Sequence, residues 1–226
     1  MGAVSIETID ELYWLGRYTE RVFTMLQVFE KIYDQMIDSS DFGYDDYCER
    51  LAIPNIYVSK EDFIRRYLFD AENPDSLLSN LLRAYDNAIL LRQILSSEAL
   101  AYIHMSLDVL KSSKDSRTPP WSLQPLTDYL FAFWGSVEDY VEDEDERNIL
   151  KAGKLCERLD LYLRLDMPLP LVEREFCRLC ARVSKLHVEY NLIALARLGE
   201  IIEKGEAWKE QRQEALTALG SILEML

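Results

Sequence analysis

The chain has 226 residues, of which 49% are hydrophobic and 29% charged, and its formal net charge is −15. This balance is typical of a globular protein and excludes a disordered chain. The acidic charge argues against nucleic-acid binding, which needs a basic patch to neutralise phosphates, and against adsorption to anionic membranes. With only 8 Gly and 7 Pro, the chain has too few turn signals for a β-sandwich or barrel.

Neither a transmembrane helix nor a signal peptide is indicated. The chain has no run of 18 apolar residues. The segment from Met1 to Asp10 lacks both the basic and the apolar region of a signal peptide. We therefore expect a cytoplasmic protein whose four cysteines are reduced thiols.

Apolar residues at helical spacing dominate the chain from its start. The first helix is predicted from Ile6 to about Asp38, because an apolar stripe runs through it in steps of three and four. A polar, aromatic segment from Ser39 to Pro54 follows. Ser59 and Asp62 then form a variant capping box that opens a short helix.

The central part of the chain predicts two further helices. Asn73-Pro74 is a helix-start signal, with Asn as the N-cap and Pro at the first helical position. Since no breaker follows until Ser112, the pattern predicts one helix of about 38 residues. A polar loop from Ser112 to Pro120 precedes a helix from Trp121 to about Tyr140.

The last part of the chain predicts three more helices after an acidic run, Glu138 to Glu146, that we interpret as a solvated turn or helix end. These helices are predicted over Asn148 to Leu165, Leu171 to Lys204 and Glu206 to Leu226. Long helices joined by short breaks favour an all-α fold. We predict a single domain over residues 1–226, a bundle of five to seven mostly long helices with no sheet of three or more strands.

Two of the predicted helices carry the same pattern of a glycine, a basic residue and a Glu-Arg pair. The first copy runs from Gly16 through Arg17 to Glu20-Arg21, and the second from Gly153 through Lys154 to Glu157-Arg158. The flanking apolar positions align as well, so both copies have the same rotational register on their helices. A glycine inside a helix costs about 1 kcal/mol relative to Ala, which close approach of another backbone or of a ligand would justify.

We predict that the two motif helices pack side by side and bring Glu20, Arg21, Glu157 and Arg158 together. Three interpretations stay open at this point: a functional site, a buried structural ion network, or a solvated face. The combined motifs carry more positive than negative charge. Either a further carboxylate such as Asp86 closes the network, or the site receives an anion, for which the two glycines leave room.

The segment Leu12 to Arg21 resembles the opening signature of the Alpha-E family, a predicted helical domain named for its Glu-Arg motif. Glu157-Arg158, followed by Asp160, resembles the second signature of that family. Between them, short segments match in order and spacing: Asn73 to Ser76, Asp86 to Ala88, Leu91-Arg92 and Ser97-Glu98. The chain departs from the family pattern at Tyr85-Asp86, and it has Lys154 where the first motif has Arg17.

The resemblance implies no established activity. It implies a genomic association with ATP-grasp peptide ligases, transglutaminase-like peptidases and proteasome-like peptidases, and hence a part in making or modifying a peptide. We therefore expect a helical module that binds a ligand or partner in such a system. The expected partners are an ATP-grasp peptide ligase or a transglutaminase-like protein, and the expected ligand is an anionic small molecule or peptide.

Eight residues form the predicted ligand-binding set: Arg17, Glu20, Arg21, Asn87, Arg92, Lys154, Glu157 and Arg158. The arginines would bind carboxylate or phosphate groups bidentately, and the two glutamates would orient them. The alternative is an enzyme of amide formation or hydrolysis with Glu20 or Glu157 as general base. No nucleophile signature in the sequence supports this alternative.

The sequence predicts neither a metal nor a cofactor. Cys177 and Cys180 form a C-x-x-C pattern without a second ligand pair, so we interpret them as packed core thiols. His104 and His187 lack the Glu three residues earlier that a ferritin-like di-metal centre requires.

Overall fold

The computed structural model describes residues 5–38, 43–114, 116 and 122–223. These residues form ten α-helices, one 3₁₀ helix and no strand, so the all-α prediction is confirmed. The α-helices are α1 (Ile6–Asp38), α2 (Asp45–Leu51), α3 (Lys60–Phe69), α4 (Leu77–Leu90), α5 (Ser97–Ser112), α6 (Gln124–Tyr140), α7 (Glu144–Arg164), α8 (Leu169–Val183), α9 (Leu192–Ile202) and α10 (Arg212–Gly220). The 3₁₀ helix spans Gly205–Gln211.

The chain forms two compact units. The first unit comprises the described residues of Met1–Glu20 and Asp143–Leu226, and the second those of Arg21–Glu142. Helix α1 contributes to both, since its residues up to Glu20 belong to the first unit. Whether the chain is one domain, as predicted, stays a prediction.

Helix α1 has the bounds that the apolar pattern predicts. Residues of the predicted stripe are fully or almost fully buried, among them Leu12, Leu15, Val22 and Leu26. Thr19, which fills a gap in the stripe, is also buried and donates a hydrogen bond from Oγ1 to the Leu15 carbonyl at 2.7 Å. The hydroxyl is thus satisfied within the helix, so a polar residue is tolerated on the buried face.

The predicted helix of about 38 residues in the second unit is two helices, α4 and α5. The N-cap of α4 is Ser76, whose side chain accepts from Ser79 N at 3.0 Å, and Asn73 lies in the preceding turn. Helix α4 ends at Leu90, and Ser96 caps α5 by accepting from Ala99 N at 3.1 Å. The predicted start at Asn73 and the uninterrupted helix are therefore wrong, because two serine caps allow the chain to turn back and pack α5 on α4.

The second unit also contains a helix that the pattern did not predict, α2, within the polar, aromatic segment. Tyr47 of α2 packs against Phe63 and Tyr67 of α3, and its hydroxyl lies 3.1 Å from that of Tyr67. The predicted cap at the start of α3 is confirmed, since Ser59 Oγ accepts from Asp62 N at 3.1 Å. Aromatic burial stabilises α2 here, although its seven residues would be unstable as a helix in isolation.

The acidic run forms the start of a helix in the first unit. Asp143 is the N-cap of α7, and its Oδ1 accepts from Asp145 N at 2.8 Å and Glu146 N at 3.2 Å. Glu144 and the next two residues occupy the first turn, where negative charge stabilises the positive end of the helix dipole. Helix α7 therefore begins four residues before the predicted Asn148.

The predicted helix from Leu171 to Lys204 is also interrupted. Helix α8 ends at Val183, and α9 begins after Asn191, whose side chain accepts from Ala194 N at 3.0 Å. Gly205 has a φ of +67°, which ends the helical run, and the 3₁₀ helix that follows buries Trp208 completely.

Some predicted boundaries lie outside the described residues. These are Trp121 at the start of one predicted helix, Leu226 at the end of the last one, and parts of the two loops, at 39–42 and 117–120. The described part of the last predicted helix is a 3₁₀ helix followed by α10, which ends at Gly220, so the prediction of one continuous α-helix from Glu206 is wrong. Among the helices described, none combines the length and the apolar character needed to cross a membrane.

Candidate functional site

The two motif glycines bring the backbones of α1 and α7 into contact within the first unit. A Cβ atom at Gly16 would overlap with the carbonyl oxygen of Leu150 and would lie 2.9 Å from Lys154 N. A Cβ atom at Gly153 would overlap with the carbonyl oxygen of Tyr13. Tyr13 and Leu150 are equivalent positions of the two motif helices, so the contact is reciprocal. Backbone fills the space at both glycines, and the expectation that they leave room for an anion is wrong.

Each motif glutamate forms an ion pair with a basic residue of the other motif. Arg17 Nε donates to Glu157 Oε2 at 2.7 Å, and Arg158 Nε donates to Glu20 Oε1 at 2.6 Å. The glutamate side chains are 1% and 0% exposed, respectively. The motifs are therefore not a solvated face, and the predicted meeting of the two motif helices is confirmed.

The backbone contact between α1 and α7 has approximate twofold symmetry, but the side chains of the two motifs differ. Lys154 occupies the position equivalent to Arg17, and its charge interacts with Glu20 as that of Arg17 interacts with Glu157. Burial lowers the pKa of Lys154 to about 8; Glu20 opposes this shift, and Arg158 adds to it. Burial also lowers the pKa of Arg17, but Glu157 and its other partners outweigh burial and raise it above its ordinary value.

A third buried carboxylate, Glu175 of α8, joins this network. It accepts from Arg174 Nε at 2.8 Å and from Arg178 Nη1 at 3.1 Å, and Arg158 Nη1 lies 3.5 Å away. Arg158 thus lies between two carboxylates that are both 0% exposed, Glu20 and Glu175. Glu175 has the role for which Asp86 was considered; Asp86 is an exposed residue of the second unit.

Glu175 was not predicted from the sequence, although a signal was present. Val172, Leu179 and Val183 form the apolar stripe of α8, and all three are fully buried. Glu175 stands in that stripe, three residues after Val172 and four before Leu179. A carboxylate at a core position of an amphipathic helix predicts a buried ionic partner, because an unpaired buried charge is strongly unfavourable.

A cleft of about 350 Å³ lies between α7 and α8 in the first unit, and we call it the basic cleft. Among the described residues, the eight that line it include six cationic side chains and no carboxylate. Three of them form the α7 row: Lys151, Lys154 and Arg158. The other three form the α8 row: Arg178 and Arg182 of α8, and Lys185 of the turn that follows it. Leu155 and Ala181 complete the lining.

Like charges are concentrated in the basic cleft. Burial lowers the pKa of Lys151 to about 8, and the charges of Arg182 and Lys185 across the cleft add to this shift. Lys154 has a similarly lowered pKa. A bound anion would oppose the repulsion among these cations and stabilise the protonated lysines.

The structure divides the eight predicted site residues between the two units. It brings together Arg17, Glu20, Lys154, Glu157 and Arg158 within the first unit. The other three, Arg21, Asn87 and Arg92, belong to the second unit. There Arg92 is exposed, while Arg21 is half-buried and its charge acts on Tyr67.

The prediction of packed core thiols at the C-x-x-C pattern is wrong. Cys177 is exposed and Cys180 is half-buried, because they lie on the face of α8 away from its apolar stripe. The buried thiols are Cys48 and Cys156. Within the described part of the chain, no group of three or more His, Cys, Asp or Glu side chains is arranged to hold a metal ion.

A family match identifies the family of this chain. The Alpha-E family model, described as a predicted α-helical domain with a conserved ER motif, matches residues 7–176. The chain belongs to the Alpha-E family. The matched range includes both motif Glu-Arg pairs and Glu175, whereas the α8 row lies after it. No curated protein and no solved structure matches the chain significantly.

Proposed function

We propose that this protein is a helical binding module that holds the anionic groups of a ligand or partner in its basic cleft. The observation that carries the proposal is the convergence of six cationic side chains on one cleft in a protein of net charge −15. An acidic surface repels anions in general, so a basic cleft concentrates attraction at one place. Guanidinium groups there match carboxylate or phosphate groups bidentately.

The Glu-Arg motifs support such a site as positioning elements. Arg158 is part of the cleft lining, and the carboxylates of Glu20 and Glu175 hold its guanidinium in place. The Arg17–Glu157 pair and the glycine contacts hold α1 against α7 at the same level. A cation whose position is fixed before binding loses little conformational entropy when the ligand arrives.

The alternative, an enzyme with Glu20 or Glu157 as general base, has less support from this geometry. A general base must reach the proton that it abstracts. Both carboxylates are buried, and each accepts a hydrogen bond from an arginine. Both carboxylates are therefore better placed to hold the arginines than to accept a proton from a substrate.

The proposed biological setting is a peptide-synthesis or peptide-modification system that includes an ATP-grasp ligase or a transglutaminase-like protein. Such a system handles carboxylates and phosphates, which are the groups that the basic cleft would bind. The genomic association that the resemblance implies supports this setting, and the cationic lining is compatible with it.

Thermal unfolding with added tripolyphosphate tests anion binding. A ligand that binds only the native state raises the melting temperature. The test variant is Lys151→Gln with Lys185→Gln, which removes one cation from each row. Its matched control is Lys204→Gln with Lys209→Gln, which makes the same charge change at exposed lysines of the same unit.

The proposal predicts that tripolyphosphate raises the melting temperature of the wild type and the control and has a much smaller effect on the cleft variant. An equal rise in the cleft variant, or no rise in the wild type, would overturn it.

A further inference from the structure

We infer that the basic cleft takes an extended acidic peptide, with three or four consecutive residues lying between the α7 row and the α8 row. The inference rests on the proposed function and specifies its ligand. It follows from the spacing of the cations, from their placement on two facing rows, and from the chemistry of the remaining lining residues.

The two rows have opposite spacing patterns along the sequence. At a rise of about 1.5 Å per residue, Lys151, Lys154 and Arg158 are separated along α7 by about 4.5 and 6 Å. Arg178 and Arg182 are separated along α8 by about 6 Å, and Lys185 lies in the turn that follows α8, where its backbone N–H donates to the Arg182 carbonyl. The α7 row therefore extends for roughly 10 Å, and the cleft has cations on both sides.

An extended peptide fits two facing rows of cations. It advances by about 3.3 Å per residue, so roughly 10 Å corresponds to three or four residues. Its successive side chains point to opposite sides, which directs consecutive carboxylates alternately toward the α7 row and the α8 row. A linear phosphate chain has the charge but not this alternation.

The uncharged lining residues also favour a peptide over a nucleotide. Among the described residues that line the cleft, no aromatic ring is available to stack on a base. The same lining offers no carboxylate that could hold a magnesium ion beside phosphates. Leu155 and Ala181 instead provide one apolar contact on each helix, suited to the methylene groups of glutamate side chains.

Fluorescence anisotropy with two labelled peptides of equal charge tests the inference. One is an acetylated tetraglutamate with an amidated C-terminus. The other has four glutamates alternating with glutamines, so that an extended chain presents all its carboxylates on one side. We expect the tetraglutamate to bind at least about tenfold more tightly, because it alone can contact both rows within the length of the cleft.

Single-row variants identify where the peptide lies. Lys151→Gln in the α7 row and Lys185→Gln in the α8 row should each weaken tetraglutamate binding, whereas Lys209→Gln outside the cleft should not. If both peptides bind equally, or if only one row matters for tetraglutamate, the extended arrangement between the rows is overturned.

The same series separates this inference from the proposed function. Tripolyphosphate binding that depends on the cleft lysines, without tetraglutamate binding, would overturn the peptide inference and leave the proposed function intact. Failure of all these anions to bind would overturn both. Dimers that form at low salt and disappear in the cleft variant would identify a second copy of this acidic chain as the occupant and would also overturn the peptide inference.

Discussion

Gly153 lies against the carbonyl oxygen of Tyr13, so the backbones of α7 and α1 touch where a side chain would otherwise stand. Gly16 has the same relationship with Leu150. This reciprocal contact sets the distance at which Arg17 reaches Glu157 and Arg158 reaches Glu20. A motif that is repeated in the sequence thereby becomes one network in the structure.

Substitution of either motif glycine by alanine should destabilise the protein. Overpacking costs about 1–3 kcal/mol, which outweighs the gain of about 1 kcal/mol in helix propensity. Urea unfolding of Gly16→Ala and Gly153→Ala measures the change. Gly135→Ala is the matched control, because a Cβ at Gly135 within α6 meets nothing within 4 Å and should stabilise. Equal stability of the Gly153→Ala and Gly135→Ala variants would contradict the close backbone contact between α1 and α7.

The Arg17–Glu157 pair should show strong coupling in a double-mutant cycle. Arg17→Met leaves the Glu157 carboxylate buried without this partner and should cost about 3 kcal/mol. Adding Glu157→Gln should restore part of the loss, giving a coupling of about 1–3 kcal/mol by chemical denaturation. The more exposed Arg197–Glu214 pair of the same unit should show much weaker coupling, because solvent screens it. Additive effects at Arg17 and Glu157 would argue against a buried pair.

The stability of the wild type should rise relative to Lys154→Met as the pH increases above 8. The pKa of Lys154 is about 8 in the folded protein, set by burial and by the charges of Glu20, Arg158, Lys151 and Glu175, and it returns to its higher ordinary value on unfolding. Between these values the unfolded state binds more protons, so stability increases with pH by about 1 kcal/mol per pH unit.

Urea unfolding of both proteins at several pH values between 7 and 9.5 measures this difference. Lys209→Met, at an exposed lysine of the 3₁₀ helix, should follow the wild type across this range. A constant difference between the wild type and Lys154→Met would show that Lys154 titrates normally.

Anion binding in the cleft should weaken above pH 8. Lys151 and Lys154 lose their protons near that pH in the free protein, and a bound anion favours their protonated forms. Binding therefore takes up protons, and affinity for tetraglutamate, whose carboxylates do not titrate there, should fall several-fold from about pH 7.5 to about pH 9. Anisotropy at constant ionic strength measures this, and a flat profile would contradict a role for the two lysines.

The four thiols should react in two classes. Cys177 is exposed and Cys180 half-buried, whereas burial raises the pKa values of Cys48 and Cys156 to about 11. Since the thiolate is the reactive form, a thiol reagent at pH 8 should modify Cys177 first and Cys180 next. Mass spectrometry over time should find the other two modified only after unfolding. Rapid modification of Cys156 would show that the interior of the first unit opens readily.

The fold class was predictable because helical periodicity is a local property of the chain. The stripe through Leu12, Leu15 and Val22 is buried as the spacing indicates. Helix ends were less predictable, since Ser96 and Asn191 act as N-caps only where the chain also has a partner to turn back against. Asn73 carries an equally good cap signal, yet it lies in a turn.

The candidate site, too, was only partly predictable from the sequence. The shared register of Glu20 and Glu157 was visible in the sequence, and it correctly predicted that their helices meet. Asn87 and Arg92 were grouped with them by their place in the family pattern, but they belong to the second unit. Arg21 was grouped with them by the shared register of the motifs, and it is the first residue of the second unit. Sequence order did not reveal Glu175 as the third carboxylate, or the α8 row as the other side of the cleft.

The sequence by itself determined an acidic, all-α protein of the Alpha-E family with two equivalent Glu-Arg motifs, because charge, periodicity and motif spacing are read along one chain. The tertiary structure decided which arginine pairs with which glutamate, what fills the space at the two glycines, and where six cations converge. Those outcomes depend on how two helices distant in sequence cross. Their distance and rotation are set by backbone contact at Gly16 and Gly153, and only the folded chain brings those backbones together.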